Sequence, residues 1–395
     1  MTFDSKKQVE IGILEIRRHI PVLHTYIKIC KTKNTKVTVF TTKELLSRLE
    51  KYEFDTENFN FVIKKEKESI AKFLKRVEKI CNEKIDILFV NTIHETILDL
   101  IAYLSFNPKC KKILVVHHIN AWLKPYLVFN PFHLVRTFDS NISVALIKFV
   151  LPKFDAISVI YEPMKDYVLS NFDFNKEIFT LPTSIFEKFE NKNEKNDDKL
   201  TVVIPGLLQK HRKDFTFIFP ALKKLFNQYG EKLILYVAGM PVGNFGRDIN
   251  NKFRKMKDKG YNITTFDDFI PDDEFDKILR NCDIILAPIR IKTRADCQIG
   301  EEYGKTVGSG VIYNAVKYAK PIIVPSDFNM LKEFVSSTFF YSSSDDLENN
   351  LKELLSNPKK TQLLKNEALK NSEIFSLNNL QEYFEKNVLV WFNKN

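Results

Sequence analysis

Short apolar runs alternate with longer amphipathic stretches along the whole chain. The runs at 9–14 (VEIGIL), 36–41 (KVTVFT), 85–90 (IDILFV), 112–117 (KILVVH) and 155–160 (DAISVI) each predict a strand. Between them, about 19–32, 43–51, 67–82 and 94–105 carry apolar residues at helical spacing. Continuous aliphatic strands separated by helices are what a parallel sheet covered on both faces requires. Residues 1–186 are therefore expected to form a doubly wound α/β domain. The Asn-rich, charged stretch 187–199 (EKFENKNEKNDDK) cannot bury apolar surface and reads as a linker. The pattern then restarts, with strands expected at 200–205, 233–238, 262–266, 283–287, 321–325 and 338–341. Helices are expected at 214–228, 246–259, 272–281, 309–319, 327–335, 345–355 and 358–371, which makes 200–372 a second Rossmann-like domain. The remainder, 373–395, holds an amphipathic helix with a stripe of Tyr383, Phe384, Trp391 and Phe392, and one arrangement packs it back on the first domain. The expected architecture is two α/β domains facing a central ligand cleft.

Composition narrows this picture. A chain of 395 residues, 44% hydrophobic and 28% charged, has the makeup of a folded protein of two or three domains. Its five cysteines (Cys30, Cys81, Cys110, Cys282, Cys297) are scattered without a Cys-x-x-Cys pair, which argues against a disulfide framework or zinc knuckle. The net charge of +10 fits phosphate-bearing substrates, an anionic membrane or nucleic acid, or simply lysines spread over solvated faces. No Arg-rich run or aromatic–basic interleaving favours nucleic acid. The sequence has no apolar run long enough to span a bilayer and no signal-peptide pattern at its start, so a cytoplasmic location is expected.

Three segments could carry chemistry. In IPGLLQKHRKDF (204–215), Gly206 lets the backbone approach an anion and Arg212 and Lys213 supply charge; the alternative is a strand–turn–helix with a solvated basic face. In TVGSGVIYNAVKYAKPIIVP (306–325), Thr306, Gly308, Ser309 and Gly310 precede an apolar helix whose N-terminus could hold a phosphate; the alternative is an ordinary capped helix. In VVHHINAWL, His117 and His118 stand at the carboxyl end of a strand, where open α/β sheets bind ligands, or else they are turn histidines bonded to backbone. His94 is a second choice, no metal is expected, and Glu15 either lines the acceptor side or sits at a helix N-terminus.

These segments resemble the C-terminal domain of GT-B fold glycosyltransferases, particularly the family-four type (glycosyl transferases group 1). The resemblance spans roughly 200–370 and is looser over 9–186. It rests on the glycine turn at Gly206, on Tyr236-Val237-Ala238-Gly239, on Phe266 and Phe269-Ile270-Pro271, and on Asn281-Cys282-Asp283 through Pro288. It implies a donor diphosphate clamped by Arg212 and Lys213, with Gly239 facing the donor and Phe269 flanking the base. The family's Arg after the glycine is Leu207 here. Its two glutamates fall at Thr306 and Asn314, so Asn314 is left to bond a ribose hydroxyl while Glu301 and Glu302 are candidate replacements. The resemblance also implies a His near the transferred sugar, retention of configuration, and a nucleotide-diphosphate-sugar co-substrate with no other cofactor.

The expected function is transfer of a sugar from such a donor to a glycan or lipid-linked acceptor, as in cell-surface polysaccharide or glycoconjugate synthesis. The alternatives are a non-catalytic partner subunit of the same fold, which the missing glutamates invite, and a sugar transferase acting on nucleic acid. One further segment, 122–150, mixes Trp122, Tyr126, Phe129 and Phe132 with Lys124, His133 and Arg136. It is either a buried helix and loop or a peripheral contact with the inner face of the membrane.

Overall fold

The computed structural model describes residues 8–50, 59–93, 96–124, 126–129, 134–189, 199–294 and 298–394. His94, Phe132, His133, Cys297 and most of the 187–199 stretch lie outside them.

The first half runs β1 (Val9–Leu14), α1 (Ile20–Cys30), β2 (Thr35–Thr42), α2 (Lys43–Glu50), β3 (Asn60–Lys64), α3 (Ile70–Lys84), β4 (Ile87–Val90) and α4 (Ile97–Ser105). It continues through β5 (Lys111–Val116), α5 (Ile119–Leu123), α6 (Leu134–Val150), β6 (Ala156–Val159), α7 (Glu162–Asn171) and β7 (Glu177–Thr180). Its strands form one parallel sheet in the order β3-β2-β1-β4-β5-β6-β7. Strands β4 and β6 are buried along their whole length; β4 is apolar throughout, and in β6 the buried Ser158 is hydrogen-bonded to the Tyr26 hydroxyl at 2.9 Å. The edge strands β3 and β7 and the weakly amphipathic α7 escape the sequence reading because they are short and flanked by charge.

The second half runs β8 (Leu200–Pro205), α8 (Ile218–Tyr229), β9 (Leu233–Ala238), α9 (Gly243–Lys257), β10 (Ile263–Thr265), α10 (Asp272–Asn281) and β11 (Ile284–Leu286). A small antiparallel pair follows, β12 (Lys292–Arg294) with β13 (Gly300–Glu302), and then α11 (Gly310–Lys317), β14 (Ile322–Pro325) and β15 (Thr338–Tyr341). The parallel sheet here has the order β10-β9-β8-β11-β14-β15. Numbered from its own first strand, each sheet thus begins 3-2-1-4-5-6, the doubly wound order. Where a helix was expected at 327–335, the chain instead makes a 3-10 turn over Lys332–Ser337. The polar pair β12–β13 carries no apolar alternation and was not predicted.

The chain closes with α12 (Ser344–Ser356), α13 (Pro358–Glu373), α14 (Leu377–Tyr383), a π turn and α15 (Val390–Lys394). Asn357 caps α13 by accepting the Lys360 N–H at 3.1 Å, and a proline at the first helical position needs no donor there. The last segment lies on the first sheet. The Tyr383 hydroxyl accepts the Thr180 N–H at 3.2 Å, Phe384 is buried near Phe89, and Trp391 meets Phe179 edge-on. Among the described residues no helix is long and apolar enough to cross a membrane.

One close backbone approach fixes the second domain's first turn. A Cβ on Gly239 would stand 2.0 Å from the Gly206 carbonyl oxygen, so the chain can pass there only without a side chain. Gly239→Ala is expected to cost about 1–3 kcal/mol in urea unfolding. Gly310→Ala, whose methyl would meet open space, is expected to leave stability unchanged or slightly raised.

Candidate functional site

In each sheet the chain leaves the first strand to one side and returns on the other, between β1 and β4 and between β8 and β11. Connecting segments diverge at that point and leave a crevice at the carboxyl ends of the strands. The crevice of the first sheet is built by the residues after β1, β4 and β5; that of the second is built by the loops after β8 and β11.

On the second sheet, Gly206 turns the chain at φ +87° and donates its N–H to the Ala238 carbonyl at 2.9 Å. The loop then returns to the sheet's end, where Asp214 donates to the Pro288 carbonyl and Arg290 to that of Arg212. This brings Gly206, Gly239, Arg212 and Lys213 together. Arg212 is exposed, whereas Lys213 is buried with Nζ donating to the Pro205 carbonyl at 2.6 Å. Burial, assisted by the neighbouring Arg212, lowers the Lys213 pKa to about 7. Phe269 is largely exposed, in the connection from the edge strand β10 to α10.

The 300–314 segment turns toward the other domain. The Glu301 carboxylate, 2% exposed, accepts the N–H groups of Ala121 at 2.9 Å and Asn120 at 3.4 Å, at the start of α5. It caps a helix of the first domain from the second. Ile119 donates to the Thr306 carbonyl at 2.9 Å and His118 bridges Val307. Thr306 is buried, its hydroxyl accepting the Glu302 N–H at 2.8 Å, while Glu302 pairs with Lys305 at 3.4 Å. The Ser309 carbonyl accepts the Tyr161 hydroxyl at 3.0 Å, and a Cβ on Gly308 would lie 2.4 Å from Ile160 Cδ1 and 2.8 Å from the Tyr161 ring. Tyr313 donates its hydroxyl to the Ile160 carbonyl. Gly310 opens α11 and Asn314 is half-buried one turn on. Thr306, Gly308, Ser309 and Glu301 thus join the two domains, and the Glu301 carboxylate is engaged by backbone rather than turned to the clamp.

On the first sheet, His117 is buried and its Nε2–H donates to the Asn91 carbonyl at 2.9 Å. In the neutral ring this leaves Nδ1 unprotonated. His19 stacks on it at 4.3 Å and Trp122 meets its edge, so burial and the two neighbouring histidines hold its pKa well below the usual value. Trp122, which the sequence left as either core or membrane contact, is core.

Sequence reasoning undervalued Glu15. It precedes α1 by five residues and is fully buried, so it is not a helix N-terminal carboxylate. The carboxylate accepts the Thr92 hydroxyl at 2.7 Å and the Arg17 N–H at 2.6 Å, yet burial raises its pKa to about 7. Arg17 itself pairs with Asp99 of α4. Asn91, also fully buried, has no partner for its side-chain amide. Glu15, Asn91 and Thr92 follow strands directly, so the same carboxyl-end rule that selected His117 could have found them. Among the described residues no three His, Cys, Asp or Glu side chains converge as metal ligands.

No family model matches the chain, and no curated protein does. Solved structures do match it over nearly the whole length. A glycosyltransferase from Rickettsia africae superposes with a TM-score of 0.62 at 14% identity, covering 98% of this chain and 99% of that one. Sucrose-phosphate synthase from Thermosynechococcus elongatus gives 0.64 at 12%, covering 98% and 100%. UDP-GlcNAc 2-epimerase from Neisseria meningitidis, solved with UDP-GlcNAc bound, gives 0.58 at 12%, covering 98% and 100%. The chain therefore has the two-domain α/β architecture of the GT-B type, shared by transferases and epimerases alike.

Buried Glu15 and Lys213 make opposite pH predictions. Folded Glu15 keeps its proton up to about 7, against an ordinary 4.5, so its stabilising contribution is complete below 4.5 and is lost as pH rises through 7. Folded Lys213 gives up its proton near 7 against 10.5, so its contribution is complete above 10.5 and is lost as pH falls through 7. Urea unfolding should show Glu15→Gln gaining on the parent, on the order of 1–3 kcal/mol, at pH 8 but not at pH 4.5. Lys213→Met should gain a similar amount, on the order of 1–3 kcal/mol, at pH 6, and the gain should vanish toward 10.5. A flat profile for either variant would remove the corresponding argument.

Proposed function

We propose that this protein is a glycosyltransferase that moves a sugar from a nucleotide-diphosphate-sugar to a glycan or lipid-linked acceptor. The observation that carries the reading is the loop after β8. A glycine turn at the switch point of the second sheet sets an exposed Arg212 beside a buried Lys213, which burial keeps near neutrality until an anion arrives. A diphosphate there would draw a proton onto Lys213 and meet Arg212 directly. The bond from the sugar's anomeric carbon to the diphosphate breaks, a bond to the acceptor hydroxyl oxygen forms, and the hydroxyl's proton passes to the departing diphosphate. Arg212 and protonated Lys213 offset charge on the departing nucleoside diphosphate, a task that needs no metal ion. The acceptor enters against the first domain, at the carboxyl ends of its strands, where Glu15, Asn91 and His117 are buried beneath the opposing crevice. Retention of configuration follows from the family resemblance. The bound UDP-sugar of the meningococcal epimerase supports a sugar nucleotide as the ligand class.

A second reading, a non-catalytic partner of the same fold, is favoured by one observation: Glu301 is committed to the domain junction, so it does not replace the family's missing carboxylates. Thermal shift against UDP, GDP, ADP and CMP, with their sugar conjugates, tests the donor site. Ligand at 100 times its Kd adds about 2.7 kcal/mol, a shift of a few degrees. A shift with one nucleotide, lost in Arg212→Ala, is expected, and its absence with every nucleotide would sink the donor assignment. Donor hydrolysis or transfer that dies with Arg212→Ala would count against the partner reading; binding without either would favour it.

A further inference from the structure

We propose that the first domain docks on an anionic lipid surface through the exposed apolar face made by α4, the segment 126–129 and the first turns of α6. The transferase reading is deepened by this only in one respect, since a docked cleft would take an acceptor held at that surface; the docking itself stands without it.

The face begins with helix geometry. Both α4 and α6 link one parallel strand to the next, so each starts at the carboxyl ends of the strands, the rim that carries the crevice. They pack against each other. On α4, Leu100 and Tyr103 turn inward, while Leu98 and Ile101 point out at three-residue spacing. On α6, Leu134, Val135 and Phe138 are outward, and Leu127 and Phe129 stand out from the segment between. These side chains are between 48% and 81% exposed. Isolated exposed apolar groups are ordinary, but large ones gathered from three neighbouring segments mark an interaction site.

Charge selects the occupant. The only acid of α4, Asp99, is buried and turned to Arg17, and the 126–129 segment has no charge. Exposed Arg18 follows Arg17, which pairs with Asp99 of α4, and exposed Lys124 precedes the segment, against one exposed acid near the start of α6, Asp139. Apolar side chains bordered by bases are the pattern that binds an anionic bilayer interface. The face is also continuous with the domain junction, because the Tyr126 hydroxyl accepts the Gly300 N–H at 3.4 Å. A bilayer touching Leu127 and Phe129 would therefore lie beside the mouth of the crevice.

Co-sedimentation of the full chain with vesicles tests this. Binding is expected to vesicles of phosphatidylcholine mixed with phosphatidylglycerol, and to be weaker with phosphatidylcholine alone. Leu127→Ser/Phe129→Ser should lower the partition coefficient at least about tenfold. Both positions are exposed, so that variant should keep its melting temperature and its nucleotide-induced shift. Lys124→Glu should weaken binding to the anionic vesicles while leaving the neutral ones unaffected. No co-sedimentation, or undiminished binding of the double variant, overturns the proposal. So does a dimer in solution that the double variant splits, since the face would then belong to a second copy. Vesicle binding without any nucleotide shift would instead count against the transferase reading alone.

Discussion

The contact on which the rest of the structure depends is the carboxylate of Glu301 buried against the start of α5. A short helix of five residues leaves most of its own N–H groups without partners, and it is marginal alone. Here two of those donors are satisfied from the other domain, while Ile119 finds its acceptor at Thr306. Removing a buried charged acceptor would strand both donors, a larger loss than the contact's net worth. The same junction is tightened where Gly308 lets the backbone reach Ile160 and Tyr161. The two sheets are thus joined at the ends of their strands, the place where each sheet also opens its crevice. Whatever binds between the domains does so beside a fixed seam.

That seam gives meaning to the two buried titrating groups. Glu15 follows the first strand of the first sheet, and Lys213 lies in the loop after the first strand of the second. Desolvation moves a carboxylate up and an ammonium down, so two groups of opposite chemistry converge on neutrality from opposite sides. Each is costly to keep. An apolar residue in either place would pack without that penalty, which is the physical ground for reading both as parts of a site rather than of the core. Lys213 differs from Arg212 next to it in this respect: the arginine is exposed to solvent, while the lysine is buried and titrates near 7.

How much of this was legible in the sequence follows from the range of the interactions. Strands β1, β2, β4, β5, β8, β9 and β14 announce themselves because a parallel sheet buries both faces, so continuous aliphatic runs have no other use. Edge strands β3 and β7 and the polar pair β12–β13 are held by long-range pairing and show no such run. The glycine turn at Gly206 was visible because its chemistry is local. Glu301 stands in the sequence as a candidate replacement for the glutamates that the resemblance implies, and its role is hidden there because its partners, Ala121 and Asn120, are 180 and 181 residues away. Trp122 shows the same limit: an aromatic beside a lysine can be core or surface, and its burial is decided where Thr306 and Glu301 hold its helix in place.

The apolar face illustrates how a correct local signal can be incomplete. The aromatics of 122–150 suggest either a membrane contact or a buried helix and loop, because composition cannot tell whether a neighbour covers them. What separates the two is α4, one of the stretches whose apolar residues recur at helical spacing. In the fold only one side of it meets the sheet, and Asp99, the single charge that might have advertised an outer face, turns inward to Arg17. The outer side is therefore left apolar by a buried ion pair. An acid drawn out of the solvent face and into the core makes that face more apolar than its sequence, and the arginine that draws it there also belongs to the loop that holds Glu15.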